Sequence, residues 1–368
     1  ELAKLQAGDE ERLELWKQLV AASRTSLERV YERLDIRFDE WLGESAYHEA
    51  LPGVVELLLQ KGFAREDDGA ICVFGGELAE KYGDAIPKDL AKQKQPFIIR
   101  KRDGAFLYST SDIATVQYRK CHFHADRSVY VVDARQSLHF KQVFALADLL
   151  EIDIALQHVG FGVVMRGGKP LKTRDTSGQV ITLASLLDEA ISRARARMDE
   201  EGIDVPEEEL AEVARVVGIG AIKYADLSQN RSSDYEFDWD KMISFKGNAG
   251  PYLQYAYART RAIFRKGEID SEQIAGPVII GEPAEGVLAL RLLRFSDAVH
   301  SAVKTHHPHL IADHLYALAR AFSSFYESCP VLKAEGEVRA SRLALVALTA
   351  RQLRRGLGLL GIGTVERM

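Results

Sequence analysis

The sequence contains little that would suit a secreted or membrane-bound protein. Its three cysteines, Cys72, Cys121 and Cys329, are scattered without pair spacing, which excludes a disulfide framework and is typical of a reducing compartment. No apolar run approaches the length needed to span a bilayer, and the first ten residues lack the basic-then-apolar order of a signal peptide. We therefore expect a cytoplasmic protein with no membrane partner.

Positive charge is not in excess either. The formal net charge is −6 at pH 7, so any binding of nucleic acid must come from local basic patches. With 46% hydrophobic and 28% charged residues, the sequence is typical of a folded protein, and its 368 residues predict more than one domain. The absence of an initiator methionine, together with an amphipathic pattern near the start, predicts a chain that begins inside a folded unit.

Alternating strand-like and helical segments in the first half predict an α/β fold. Residues 129–132 and 159–165 are apolar and strand-like, and residues 138–150 between them have helical periodicity. This is the spacing of a βαβ unit with two parallel strands. Because open parallel sheets bind ligands at the carboxyl ends of their strands, we expect Asp133, Gln136 and the loop after the second strand near a nucleotide-sized cleft.

Other patterns flank this unit. The β-rich runs at 97–99 and 106–108, separated by an Asp-Gly turn signal, predict a hairpin. Beyond residue 178 the pattern is helical, with a new helix at Pro206 and a loop at 267–286. Apolar residues repeat at three and four positions, as in a bundle, at Leu315, Leu318, Phe322, Phe325, Val346, Leu353, Leu357 and Leu360. The predicted fold class is α/β plus all-α, a partial Rossmann-like parallel sheet followed by a helical bundle.

A basic loop follows the second predicted parallel strand and contains Lys169, Lys172 and Arg174. Cations at the edge of a sheet suit the stabilisation of charge on a transferring phosphoryl group. The alternative, which the local pattern alone favours, is a solvated basic hairpin tip.

Two segments offer carboxylates for a binding site. Tyr108 and Asp112 lie four residues apart, so a helix that starts at Ser109 directs both side chains into one cleft. The alternative is that a hydroxyl of residues 109–111 caps the helix and Asp112 only favours its first turn. Glu44 lies on a loop beside Gly43, where an ordinary surface acid has the same pattern.

Residues 248–259 combine tyrosines, amides and an arginine on a helix that starts at Pro251. Aromatic faces beside an arginine suit the stacking of unpaired bases, whereas half-buried tyrosines of a bundle helix are the alternative. The Cys-His-Phe-His run at 121–124 and the histidines at 306–309 lack a second ligand pair nearby, so we predict no metal site.

In their order along the chain, these segments resemble the arginyl-tRNA synthetases of bacterial type. The matching stretches are residues 5–10, 43–45, 51–53, 103–108, 112–114, 125–127, 130–136, 158–162, 168–174, 186–190, 221–227, 230–231, 237–239, 250–255, 359–363 and 366–368. The resemblance implies a class I synthetase, with a Rossmann catalytic domain followed by a helical anticodon-binding domain. We accordingly expect the C-terminal part of the catalytic domain at 1–180, a connecting region that contacts the tRNA stem at 181–249 and the anticodon-binding domain at 250–368.

The resemblance also implies an activity. L-Arginine is activated by ATP with Mg²⁺ as its counter-ion, and the arginyl group passes to the 3′ end of tRNA(Arg), without a tightly bound cofactor. The residues implied for arginine are Glu44, Tyr108, Asp112 and Gln136; those for ATP are His158 and Phe161; and the catalytic cations of the second class I signature are Lys169, Lys172 and Arg174. The residues implied for the tRNA anticodon are Asn248, Tyr252, Tyr255, Arg259 and Met368. The full-length protein is expected to be a monomer.

Two departures from the family pattern bear on activity. The second signature is degenerate here, and the first signature, His-Ile-Gly-His, occurs nowhere, since His158-Val159-Gly160 is followed by Phe161. We therefore expect the first half of the Rossmann sheet and the tRNA-elbow domain to lie outside this chain, and the chain alone to be inactive. Two alternatives stay open: a catalytically inactive tRNA-binding paralogue, and a generic nucleotide-dependent α/β enzyme with a helical cap.

Overall fold

The structure is a computed structural model that describes residues 2–6, 8–171, 182–203, 205–270, 274 and 276–368. The chain divides into two units, Glu1–Phe161 and Gly162–Met368. Among the described residues, no helix combines the length and the apolarity that crossing a bilayer requires.

The first unit mixes helices with short strands. Its helices are α1 (Leu2–Gln6), α2 (Glu10–Arg33), α3 (Leu51–Gln60), α4 (Gly75–Tyr82), α5 (Lys88–Ala91), α6 (Tyr108–Phe123) and α7 (Ser137–Leu149). Its strands are β1 (Arg65–Asp67), β2 (Ala70–Val73), β3 (Phe97–Arg100), β4 (Arg127–Asp133) and β5 (Ala155–Phe161). Single 3₁₀ segments occupy Glu44–Ala50, Gly83–Ala85 and Ala134–Gln136.

The predicted βαβ unit is confirmed. β4 and β5 pair in parallel along their whole length, from Arg127 opposite Ala155 to Asp133 opposite Phe161, and α7 connects them. The carboxyl ends of both strands therefore lie at the same edge, next to the start of α7. This edge is where the parallel-sheet rule predicts ligands.

The predicted hairpin between residues 97 and 108 is wrong over most of its length. β3 pairs instead with β2 in an antiparallel sheet, and in the described residues the return segment contributes one isolated bridge, between Arg100 and Phe106. The β-rich run ends because α6 begins at Tyr108, where the hydroxyls of the next two residues donate to carbonyl oxygens of β3. Tertiary hydrogen bonds thus override the local strand propensity.

The core of the first unit lies between α3, α6, α7 and the strands. Side chains that are almost fully buried there include Leu58, Ile99, Ile113, Val116, Val143 and Leu146. The ring of Tyr47 packs edge-on against that of Tyr118, with 5.4 Å between centroids. This contact fixes the 3₁₀ segment that begins at Glu44 against α6.

The second unit is mostly helical, as predicted. Its strands are β6 (Val164–Arg166), β7 (Lys169–Pro170) and β8 (Tyr235–Glu236). Its helices are α8 (Leu183–Glu200), α9 (Glu207–Leu227), α10 (Trp239–Met242), α11 (Gly250–Gly267), α12 (Pro283–Leu293), α13 (Phe295–Thr305), α14 (His309–Ser328) and α15 (Gly336–Leu359). The predicted apolar repeats on α14 and α15 are buried in its main core, which confirms the bundle.

Two predicted boundaries are wrong. The loop at 267–286 ends earlier, because Pro283 and a capping box between Glu282 and Glu285 start α12. The strand at 159–165 is two strands, since β5 ends at Phe161 and β6 begins at Val164. Between them, a Cβ on Gly162 would lie 2.5 Å from the carbonyl oxygen of Ser233, so this close backbone approach requires glycine.

Candidate functional site

Three polar side chains meet where α6 and α7 begin. His139 Nε2 lies 2.6 Å from Asp112 Oδ2, and the ring centroids of His139 and Tyr108 are 4.7 Å apart. His139 is 9% exposed, whereas the Asp112 side chain is 28% exposed and Tyr108 is 56% exposed. A buried imidazole therefore orients a carboxylate and a phenol ring that both remain open to solvent.

The surroundings of the two ring nitrogens of His139 decide which of them carries the proton. A bond to a carboxylate requires the proton on Nε2, because an ionised carboxylate only accepts. Among the described residues, Nδ1 of His139 is buried without a hydrogen-bond partner. We therefore assign the Nε2–H tautomer, in which His139 donates to Asp112 and leaves the other carboxylate oxygen available.

The capping alternative for this segment is wrong. The residue before α6 is Leu107, which makes no side-chain cap, and Asp112 lies beyond the first turn. The hydroxyls of Ser109 and Thr110 donate to the carbonyls of Ile98 and Ile99 in β3. These bonds fix α6 against the sheet.

The other residues predicted for arginine, Gln136 and Glu44, lie on two 3₁₀ segments. Gln136 is exposed at the end of the 3₁₀ segment that leads into α7, and Glu44 is exposed at the start of the segment packed on α6. Asp133, at the carboxyl end of β4, already bonds Arg135, which lowers the pKa of that carboxyl to about 2. The structure thus joins Tyr108 and Asp112 through His139, and it leaves Gln136 and Glu44 exposed on the segments that precede α7 and α3.

The two residues predicted for ATP both lie on β5. The ring of His158 stacks on Phe140 with 5.0 Å between centroids, and its Nε2 is 3.1 Å from the carbonyl oxygen of Val132. Phe161 is 41% exposed at the carboxyl end of the strand. His158 therefore links β5 to β4 and α7, whereas the ring of Phe161 is partly exposed to solvent.

The predicted phosphate-binding loop is described only in part. Lys169 is exposed in β7, which pairs with β6 across a two-residue turn at Gly167 and Gly168. Both glycines have positive φ, 60° and 70°, as a type I′ turn requires. Lys172 and Arg174 lie outside the described residues. A hairpin tip and a phosphate-binding role are compatible at Lys169.

A second candidate site is a cleft of about 470 Å³ within the second unit. It brings together three residues predicted for the anticodon: Tyr255, Arg259 and Met368. The Arg259 guanidinium lies 4.8 Å from the centroid of the Tyr255 ring and 5.6 Å from that of Tyr326. An arginine between two aromatic faces suits the stacking of unpaired bases.

The other residues predicted for the anticodon lie outside this cleft. Asn248 accepts a hydrogen bond of 2.5 Å from the hydroxyl of Tyr224, and Tyr252 packs against Tyr316 with 5.8 Å between centroids. Not all of the tyrosines on α11 are available to bind bases. Tyr257 is only 2% exposed and belongs to the core.

Sequence patterns do not single out several residues of these sites. His139 pairs with a residue 27 positions away, on another helix. The cleft also contains Tyr326, Lys266 and Lys333, of which Tyr326 directly follows a core phenylalanine. The one available signal is His139 in the first turn of the helix after a parallel strand. Among the described residues, no three His, Cys, Asp or Glu side chains form a potential metal site.

Known families match both units. Residues 1–239 match the family described as tRNA synthetases class I (R), catalytic domain, and residues 253–368 match the DALR anticodon binding domain. The chain belongs to the arginyl-tRNA synthetase family. The resemblance drawn from the sequence motifs is therefore confirmed, as is the predicted fold class of a small parallel sheet followed by a helical domain.

Relatives of this family align along the whole chain. It is 46% identical to an arginine–tRNA ligase of Hahella chejuensis and 48% identical to one of Chromobacterium violaceum, each over 100% of this chain and 63% of the relative. The chain thus spans less than two thirds of these synthetases. Among solved structures, arginyl-tRNA synthetase of Plasmodium falciparum superposes with a TM-score of 0.80 at 30% identity, over 99% of this chain and 60% of that one. The Thermus thermophilus enzyme gives 0.80 at 27% identity, over 99% and 65%.

Proposed function

We propose that a full-length protein containing this chain is an arginine–tRNA ligase. It joins L-arginine to the 3′ end of tRNA(Arg) at the expense of ATP, with Mg²⁺ as the counter-ion of the nucleotide. The observation that carries the proposal is the Asp112 carboxylate, which His139 orients beside the exposed ring of Tyr108. Family membership supports the same assignment.

The pocket chemistry fits a guanidinium. Arginine presents a planar fork of N–H donors, which the remaining oxygen of a fixed carboxylate accepts and an aromatic ring covers. Asp112 supplies the carboxylate and Tyr108 the ring. We assign Gln136 and Glu44 to the polar α-amino and carboxylate end of the amino acid, because both are exposed on turns packed against α7 and α6.

The proposed reaction has two steps. A carboxylate oxygen of arginine attacks the α-phosphorus of ATP, the bond to the β-phosphate oxygen breaks, and arginyl-adenylate and pyrophosphate result. The terminal ribose hydroxyl of tRNA then attacks the arginyl carbonyl, loses its proton and releases AMP. We assign Phe161 and His158 to the adenine and Lys169, Lys172 and Arg174 to the phosphates, where cations stabilise developing charge.

The proposed RNA contact is the cleft around Arg259. Its two tyrosines and methionine offer flat and apolar surfaces to unpaired anticodon bases, and Lys266 and Lys333 offer charge to phosphates. We propose that Asn248 and Tyr252 contact the anticodon as well, near the start of α11. We propose the domain division at 180 and 249 as well, and a cytoplasmic, monomeric full-length protein with no membrane partner.

The test is pyrophosphate exchange by the full-length protein with tRNA present. Arginine should support exchange, whereas citrulline, in which a neutral urea replaces the guanidinium, should not. Exchange with another amino acid, or equal exchange with citrulline, would contradict the proposed pocket. The 368-residue chain alone should give no exchange, because it contains no His-Ile-Gly-His signature. Robust exchange by that chain would show that the missing signature is dispensable.

A further inference from the structure

The last residues of the chain are held by several hydrogen bonds from α9 and α11. Gln254, which is fully buried on α11, donates to the carbonyl oxygen of Gly363 at 2.8 Å. Lys223 on α9 donates to the carbonyl oxygen of Gly361 at 2.6 Å. Val365 is buried in the cluster between α8 and α9. The tail from residue 361 onward, here called the C-terminal tail, therefore has one defined path over the helices.

Glu366 is the most strongly held residue of this tail. Its Oε1 accepts from the Tyr257 hydroxyl at 2.9 Å, and its Oε2 accepts from Arg261 Nε at 2.7 Å. Its carbonyl oxygen accepts from Arg265 at 2.6 Å. Burial alone would raise the pKa of Glu366, but the bonds from Arg261 and Tyr257 outweigh it, and the pKa lies below its ordinary value. The carboxylate is thus ionised at neutral pH.

The geometry of α11 links this contact to the RNA-binding cleft. Tyr257, Arg261 and Arg265 recur every four residues and so share one face of the helix. Tyr255 and Arg259 form a second row, offset from the first by two residues and therefore on a different side of the helix, and this second row lines the cleft. The C-terminal tail binds the first row through Glu366 and reaches the second through Met368, two residues later.

We propose that Glu366 is a positioning residue, which clasps the C-terminal tail to α11 so that Met368 forms a wall of the RNA-binding cleft. The inference rests on the proposed function of that cleft in tRNA binding. A stabilising role explains less, because the Glu366 side chain is 57% exposed and ion pairs at such positions contribute little to stability. Its main effect is on where Met368 lies.

The charge of Glu366 distinguishes the clasp from a simple electrostatic effect, because the two predict opposite changes in tRNA affinity when that charge is removed. A carboxylate near a polyanion repels it, so its simple removal should strengthen tRNA binding. The clasp predicts the opposite for Glu366→Gln, because the amide loses the charge-assisted bond to Arg261 and frees Met368. Glu327→Gln is the matched control, since this exposed glutamate directly follows Tyr326 of the cleft.

The experiment is a titration of the 368-residue chain with tRNA(Arg), followed by fluorescence anisotropy at fixed salt. We expect Glu366→Gln to raise the Kd about tenfold, the scale of losing one well-packed interface contact, and Glu327→Gln to leave the Kd unchanged or lower it. Tyr257→Phe removes one of the three bonds and should have a smaller effect. The thermal midpoint of Glu366→Gln should stay close to that of the parent chain.

A double-mutant cycle separates positioning from a direct effect. If Glu366 acts by placing Met368, the loss from Met368→Ala and the loss from Glu366→Gln should not add in the double variant. Additive losses, or normal binding by Glu366→Gln while Arg259→Ala weakens binding, would overturn the clasp alone. If the parent chain does not bind tRNA(Arg), or Arg259→Ala binds normally, the proposed RNA-binding cleft fails and the clasp fails with it.

Discussion

Replacement of Asp112 by asparagine probes the proposed arginine pocket with a change of one atom type. The carboxylate accepts from His139 through Oδ2 and keeps Oδ1 for the ligand. Asparagine has a single acceptor oxygen. If that oxygen stays with His139, the amide NH₂ group faces the guanidinium, donor against donor. The buried imidazole therefore makes the loss worse than the removal of charge alone, because it fixes which atom the ligand meets.

The expected loss follows from one charge-assisted hydrogen bond. Such a bond contributes about 1.5–3 kcal/mol, which corresponds to roughly a 10- to 100-fold rise in the KM for arginine. The side chain is 28% exposed, so water reaches part of the site and the lower half of this range is expected. Binding of ATP uses other groups, and its KM should change little.

The assay is pyrophosphate exchange by the full-length protein with tRNA present, in which arginine and ATP are varied separately. Asp126→Asn is the matched control, because this exposed carboxylate precedes the opposite, amino end of β4. It should behave like the parent. An unchanged arginine dependence in Asp112→Asn, or an equal rise in both KM values, would refute the assignment of Asp112 to the arginine pocket.

Further predictions concern the second unit. Tyr255→Ala should weaken tRNA binding by about 1–3 kcal/mol, the contribution of one stacked base, without change in circular dichroism; normal binding would place the anticodon elsewhere. Arg342→Ala removes the ion-pair partner of Glu285, which is 2% exposed and, among the described residues, keeps only its two backbone N–H donors, and should lower the free energy of unfolding by about 1.5–3 kcal/mol in a urea titration. Because folding lowers the pKa of Glu366 below the ordinary glutamate value of 4.5, its contact with Arg261 should persist at pH 4.5 and be lost only as the pH falls further; NMR of the Met368 methyl group would follow the contact, and its loss at a higher pH would contradict the contact.

Periodicity predicted the parts of the fold that depend on local pattern. The apolar residues around Val131 and Val159 and the helix between them gave the parallel pair, and Leu318 and Phe322 gave the bundle core. The hairpin prediction failed at Tyr108. Its strand propensity is real, but hydroxyl bonds from the following residues to β3 start a helix there.

In the candidate sites too, local sequence patterns predicted some residues, whereas tertiary packing determines others. The helical repeat brings together two pairs of residues that are four positions apart. Tyr108 and Asp112 form one pair on α6, and Tyr255 and Arg259 form the other on α11. His139 joins the first pair only because α6 packs against α7, and that packing angle is not encoded in any local pattern. Residues assigned through the family resemblance alone, such as Glu44 and Lys169, remain predictions.

The most direct test of the proposed activity is the transfer of radiolabelled arginine to tRNA(Arg) by the full-length protein. We predict that arginine is transferred to the tRNA and that lysine is not. Asp112→Asn should slow charging in a way that more arginine overcomes, and Tyr255→Ala in a way that more tRNA overcomes. Charging with another amino acid, or two variants that respond to the same substrate, would contradict the proposed pocket and cleft.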